Sequence, residues 1–205
     1  MAFPEGWEET CFVEIQKLSG TVLQFAAITE TVDISEGDVP GEGVPTLAGG
    51  RIWKQSPQED GELTLELYPV ELDEATASAG VGLFQSFVGG TKDTSEPLAT
   101  DVDWPAGTDR TRDQFRVTIL WTNDPAATTA SQETAAATDS LRFVAMGCRI
   151  TSHKSAFTDG ILKTTVNFKY PAFSKAGTVK MSRWESGSQT ALPAITTYDD
   201  ADNWS

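Results

Sequence analysis

LRFVAMGCRITSHKSAFTDGILKTTVNFKY, residues 141 to 170, contains two alternating runs around a polar connection. In 141–152 the apolar residues Val144, Met146, Cys148 and Ile150 recur every second position, and in 161–170 Leu162, Val166 and Phe168 fall together. A period of two places such residues on one face of a half-buried strand. Between the runs, HKSAFTDG (153–160) ends in Thr-Asp-Gly, which has the chemistry of a hairpin tip. The two runs are therefore expected to pair directly as antiparallel neighbours.

The same period extends outward from this hairpin. FRVTILW (115–121) puts Phe115, Val117, Ile119 and Trp121 on one side, and ELTLELYPV (62–70) sets Leu63, Leu65 and Leu67 against Thr64, Glu66 and Tyr68. Pro69 marks the end of that strand or an edge position. TVLQFAAITETV (21–32) is a further β-like run. Only LDEATASAGVGLFQSFVGG (72–90) has a helical pattern, with acids in its first turn, Leu83, Phe84 and Phe87 at helical spacing, and Gly89-Gly90 as a stop. The fold class is mainly β: an antiparallel β-sandwich or barrel core with one flanking α-helix, long loops and a C-terminal arm. At 205 residues the chain forms a single domain, 1–205.

The connections are long for so small a chain. DISEGDVPGEGVPTLAGG (33–50) holds five glycines, two prolines, four acids and no base, a composition that argues against regular structure. Residues 91–113 form a second excursion, and TNDPAATTASQETAAATDS (122–140) a third, with an Ala-rich middle of helical character. From 171 onward the sequence reads as an extended tail with Trp184, Tyr198 and Trp204 among polar residues. Trp53, Trp104 and Trp204 sit in excursions or at the chain end. Disordered segments usually exclude aromatics, so these point to loops ordered by a partner surface.

Thirty acids against fifteen bases give a formal charge of −15. This balance suits a salt-rich environment, where a Debye length of ~3 Å in molar salt screens the self-repulsion. It disfavours sequence-specific binding to nucleic acid, because phosphates must be met by Lys and Arg. No apolar run approaches the ~20 residues of a membrane span, and the acidic start, MAFPEGWEET, differs from a signal peptide. Cys11 and Cys148 belong to no metal or redox spacing and read as two buried thiols.

Catalytic patterns are weak. The one histidine, His153, beside the expected turn, reads as a surface residue, and no GxSxG, Walker or GxGxxG motif opens a helix. Asp101 with Asp103, and Asp199, Asp200 and Asp202, lack the alternating ligands of a calcium loop and read as solvated acids. The final Asn-Trp-Ser is a glycosylation acceptor only formally. The chain is read as non-enzymatic, with no cofactor and no metal. Exposed Trp residues could line a sugar-binding platform, but here they are scattered across loops and termini.

GGRIWKQSPQEDGELTLELYP (49–69), the helix-like stretch to Gly90, FRVTILWTNDP (115–125) and CRITSHKSAFTDGILKTTVNFKYPAF (148–173) occur in an order that resembles the major tail tube proteins of long-tailed, siphovirus-like double-stranded DNA viruses. The acid-rich composition points to a virus of a haloarchaeon. The resemblance spans about 20 to 173 and rests on the order of elements and the style of connections. It implies a structural virion protein of the viral tail, assembled in the host cytoplasm, six copies to a ring, with rings stacked into a tube that conducts the genome during DNA ejection. Its partners would be itself, other tail proteins at the tube ends, and double-stranded DNA passing without sequence-specific binding, with no membrane insertion. By position, the connection at about 33–56 would reach a neighbouring subunit or ring and the extension at about 171–205 would act as an arm. Contact residues would be Asp38, Glu42, Arg51, Ile52, Trp53 and Trp204, and Glu66 a bore-facing acid. The alternatives are another virion β-sandwich, such as a tail terminator or capsid decoration protein, or a carbohydrate-binding module.

Overall fold

The computed structural model describes residues 10–17, 22–26, 31–67, 114–136, 139–158, 160–193 and 195. Ten strands occur among them: β1 (Thr10–Lys17), β2 (Val22–Ala26), β3 (Val32–Ser35), β4 (Gly41–Pro45), β5 (Arg51–Gln55), β6 (Gly61–Leu67), β7 (Phe115–Thr122), β8 (Ser140–Thr158), β9 (Ile161–Tyr170) and β10 (Ser182–Ser186). Eight of them make one curled antiparallel sheet in the order β2-β1-β7-β8-β9-β6-β3, with β10 added to β8, while β4 and β5 pair only with each other. The architecture is mainly β, as the alternation implies. The helix expected over 72–90, the excursion at 91–113 and the chain end with Trp204 lie outside the described residues.

Curling brings the inner face of β6 and β9 over that of β1 and β7. Val13, Ile15, Leu63, Leu65, Val117, Ile119, Phe143, Ala145, Val166 and Phe168 form the main core, all nearly or fully buried. Phe115 meets Phe168 edge-on with ring centroids 6.2 Å apart, and Phe143 meets Tyr170 in the same way. The alternation of β6 and β7 is as expected: Leu63 and Leu65 point in, as do Phe115, Val117 and Ile119, while Trp121 packs at the margin.

β8 departs from simple alternation twice. Phe115 pairs with Cys148 and Val117 with Ala145, so one residue of β7 faces two of β8, Met146 and Gly147. Gly147 has φ +64°, where a glycine is needed to turn the strand, and an added Cβ would press on Met181 at 3.2 Å. The phase flips at this bulge. Cys148 and Ile150 join the main core, whereas Val144 and Met146 pack with Met181 on the opposite face. The expected four-residue stripe is thus split between two faces. A second bulge at Thr151 lies between the pairs Ile150–Phe168 and Ser152–Asn167.

The ladder then runs out to Thr158 opposite Ile161. The two runs pair directly, as expected, and the turn falls between Thr158 and Ile161, while the strand extends through most of the polar connection that precedes it. His153 lies mid-strand opposite Val166, half-buried, and not beside a turn. Burial holds its imidazole below the ordinary pKa. Cys148 is buried, with its thiol pushed up by desolvation, while Cys11 is half-buried.

The opposite face of β1, β7 and β8 is also covered. Residues 122–136 lay Ala127 and Ala130 on Phe12 and Leu120. They form turns and bends, not the helix that their alanines suggest, because polar side chains capture the backbone. Gln132 Oε1 accepts from the amides of Thr128 and Thr129, and the Asp124 carboxylate accepts from those of Ala126 and Ala135, both at 2.8 Å. These two amide bonds hold the Asp124 pKa below 3.8. A depressed carboxylate pKa stabilises the fold above the ordinary value and loses that contribution as pH falls through the lowered one. Hydrogen-exchange protection at Ala126 and Ala135 is accordingly expected to fall as pH drops below the ordinary carboxylate range. Asp124→Asn should lower protection at neutral pH and flatten that response. An unchanged profile in the variant would place the acid sensitivity elsewhere.

Residues 171–195 complete the cover. The stretch read as an extended tail includes β10, whose Trp184 lies opposite Phe143 and stacks on Trp121 with centroids 6.0 Å apart. Arg116 and Arg142, both essentially fully buried on this face, bind carbonyls of the covering segments. Arg116 donates to Pro193 O at 2.8 Å and to Gln16 Oε1, and burial pushes its pKa down to about 10 against the opposing pull of Glu14. Arg142 donates to Thr190 O at 2.8 Å, Gln132 O at 3.3 Å and Glu185 Oε2 at 2.6 Å.

Candidate assembly surface

The glycine-rich stretch at 33–50, expected to lack regular structure, contributes β4 to a two-stranded hairpin with β5. Gly41, Gly43 and Pro45 on β4 face Gln55, Trp53 and Arg51 on β5. The two glycines are what permit this pairing. The Trp53 indole lies across them, and a Cβ at Gly41 would enter the ring. The turn closes by Thr46 N to Gly50 O at 2.8 Å and Gly49 N to Thr46 O at 3.0 Å, with Gly49 at φ +81°. Below the strands the neck stays zipped, through Ser56 N to Pro40 O at 2.8 Å, Glu59 N to Asp38 O at 2.9 Å and Gln58 Nε2 to Glu36 O at 2.6 Å. Glu36 also bridges to Lys180 and Ser182 at 3.2 Å each, which fixes the neck to the covering segment.

Directly opposite residues of an antiparallel pair share a face. One face of the hairpin therefore shows Arg51, Trp53 and Gln55 over the glycines, and the other shows Val44 opposite Ile52 and Glu42 opposite Lys54. Trp53 is 68% exposed and Ile52 63%, and Val39, Val44 and Leu47 are exposed as well. Both faces are thus apolar in part and open to water. A lone two-stranded hairpin is marginal in water, and contiguous exposed apolar side chains mark an interaction surface.

Five of the residues singled out from the sequence, Asp38, Glu42, Arg51, Ile52 and Trp53, are brought together on this hairpin and its neck. Trp204 lies outside the described residues. Glu66 stands apart, on the outer face of the main sheet, where Thr31 Oγ1 donates to it at 3.5 Å. That face carries both signs. Glu62 pairs with Lys169 at 2.8 Å, which raises the Lys169 pKa, and Thr64, Asn167 and Ser152 form a hydrogen-bonded row with both links at 2.7 Å. Val39, Val44 and Leu47 were not anticipated, since valines and a leucine scattered among glycines carry no period. Phe157, 74% exposed at the far end of β8, was hidden because its neighbourhood reads as turn.

No family model and no curated protein matches the sequence. Among solved structures the chain is similar to one from the tube-terminating cap of the anti-feeding prophage, with 7% identity, 91% of this chain and 94% of that chain covered, and a TM-score of 0.49. It is also similar to one from the extended-state sheath/tube terminator of the PVC extracellular contractile injection system, with 10% identity, 90% and 98% coverage, and a TM-score of 0.46. A third is the secreted protein Hcp3 from Pseudomonas aeruginosa, with 10% identity, 88% and 99% coverage, and a TM-score of 0.33.

Proposed function

We propose that this chain is a structural subunit of a viral tail tube, six copies to a ring, the rings stacking into the conduit for double-stranded DNA in a long-tailed virus of a haloarchaeon. The observation that carries the reading is the β4–β5 hairpin, apolar and exposed on both faces, projecting from a sheet whose inner face is filled by the main core and whose opposite face is covered over β1, β7 and β8. The described residues cover the core without the hairpin, and in this reading its uncovered area is met by another chain. A projecting element received elsewhere on a copy makes a head-to-tail contact, which closes into rings or propagates into a tube. Open strand edges are protected in the same assembly. The twofold excess of acids over bases fits a salt-rich cytoplasm. In this reading the outer face of β6, β9 and β8, with Glu66 among hydroxyls, amides and paired ions, lines the bore. DNA then meets alternating signs, which limits adhesion.

Negative-stain electron microscopy with sizing tests the reading, in molar salt and after dilution. Six-fold rings or hollow tubes are expected, and a monomer that binds glycans would replace it with a sugar-binding module. Trp53→Ala should lower the tube yield about tenfold, the effect of an interface anchor worth over 1 kcal/mol, while thermal unfolding of the monomer stays near wild type. A lowered melting temperature with unchanged assembly would show that Trp53 serves its own chain.

A further inference from the structure

One groove stands out in this acidic molecule by its sign. It opens where the chain leaves β9, has a volume of about 630 Å³, and is walled by Arg149, Lys169 and Lys175 against a single acid, Asp60. Its floor is apolar, made by Pro171, Phe173 and Met181. Gly147 borders the floor, where an added Cβ would press on Met181 at 3.2 Å. Lys169 is engaged by Glu62, but Arg149 and Lys175 have no ion-pair partner among the described residues, and Phe173 is 43% exposed.

The hairpin supplies the complement. Its first limb, from Asp38 to Val44, presents Asp38 and Glu42 with exposed Val39 and Val44 and has no base. Acids spaced among apolar side chains match cations rimming an apolar floor. The limb stands exposed in its own molecule, so it is available to another. We propose that the groove is the seat for the Asp38–Val44 limb of a second copy, with Arg149 and Lys175 meeting Asp38 and Glu42 while the valines cover Phe173 and Pro171. This rests on the tail tube reading and names the acceptor surface for its hairpin. Donor and acceptor are different surfaces, so each copy carries one free end of each kind and the contact repeats. Opposed charges fix the pairing and disfavour the wrong one.

Charge reversal on the whole chain tests it, at the lowest salt in which the protein is folded. The acceptor double variant Arg149→Glu/Lys175→Glu and the donor double variant Asp38→Lys/Glu42→Lys are each expected to lower the sedimentable, tube-forming fraction at least tenfold. All four substituted residues are exposed, so circular dichroism and thermal unfolding should stay near wild type. Combining all four changes should restore assembly. Tubes in the wild type and in both doubles would overturn the groove while leaving the tail tube reading intact. Loss of assembly in both doubles without rescue in the combined chain would mean that groove and limb meet different occupants, and would also overturn the pairing. A wild type that never self-associates would remove the tail tube reading and the groove with it.

Discussion

Arg142→Ala is expected to lower folding stability by about 3 kcal/mol, more than a hundredfold in the folding equilibrium, because it empties a buried site and takes the donor from several partners at once. The guanidinium is fully buried and is shared by three separate segments: the carbonyl of Gln132 in the loop after β7, the carbonyl of Thr190 beyond β10, and the carboxylate of Glu185 on β10. Removing it takes the donor from two carbonyls and opens a void beside them, while Glu185 keeps its ion pair with Arg183 at 2.6 Å. The loss is partly offset, since Arg116 is relieved of a like charge that lowers its own pKa. Urea denaturation should show the shift in midpoint without a change in slope. Hydrogen exchange at Gln189, whose amide bonds Thr134 Oγ1 at 2.8 Å, should report earlier opening of the cover. Glu185→Gln, which keeps a hydrogen-bond acceptor, should cost about 1 kcal/mol. A loss under 1 kcal/mol in Arg142→Ala would mean that water already reaches these carbonyls in solution.

Phe143→Ala is expected to cost about 3–5 kcal/mol, the range for truncating a buried aromatic. Its ring is fully buried at the point where the two halves of the molecule meet. On one side it contacts Tyr170 of β9 and on the other Trp184 of β10, with centroids 6.2 Å and 4.8 Å away. Tyr170 in turn donates to Ser35 O at 3.1 Å, and burial raises its pKa to about 12. A cavity at 143 therefore reaches both the neck of the hairpin and the Trp121–Trp184 stack. Tryptophan fluorescence should shift in the native state as that stack loosens. Phe143→Leu, which refills much of the space, should retain most of the stability. Equal losses in the two variants would indicate collapse of the site instead of a cavity.

What could be read from the residues was whatever kept a steady period. Leu63 and Leu65, and Phe115 through Ile119, alternate without interruption and stand where alternation puts them. Gly147 shows how that reading fails. One glycine at positive φ inserts an extra residue, and Met146 and Cys148, two positions apart, then point to opposite faces. The cover was illegible because of how it is held. Thr190, Pro193 and Gln132 hold Arg116 and Arg142 through main-chain carbonyls, which leave no trace in residue type, so nothing in the sequence marks the two arginines as buried. In the hairpin, glycines that suggest irregular chain are the surface on which Trp53 lies. Trp53 was singled out from chemistry alone, as an aromatic ring on a long acid-bordered connection, and it stands exposed on the hairpin. The acceptor was not found, since Arg149, Lys169 and Lys175 converge only through the strand pairing of β8 with β9 and the path beyond it.

The way the hairpin is rooted gives it a mechanical character. Its two limbs continue into β3 and β6, which leave the neck side by side and in register from Ser35–Glu62 to Val32–Leu65. Tension at the tip would therefore draw on both strands along their length. β6 is held to β9 by seven consecutive pairs, from Gly61–Tyr170 to Leu67–Thr164. Ladder bonds lie across the strand direction, so such a pull shears them together and cannot unpeel them one at a time. The anchorage is strongest along the one axis on which a hairpin gripped at its end would be loaded.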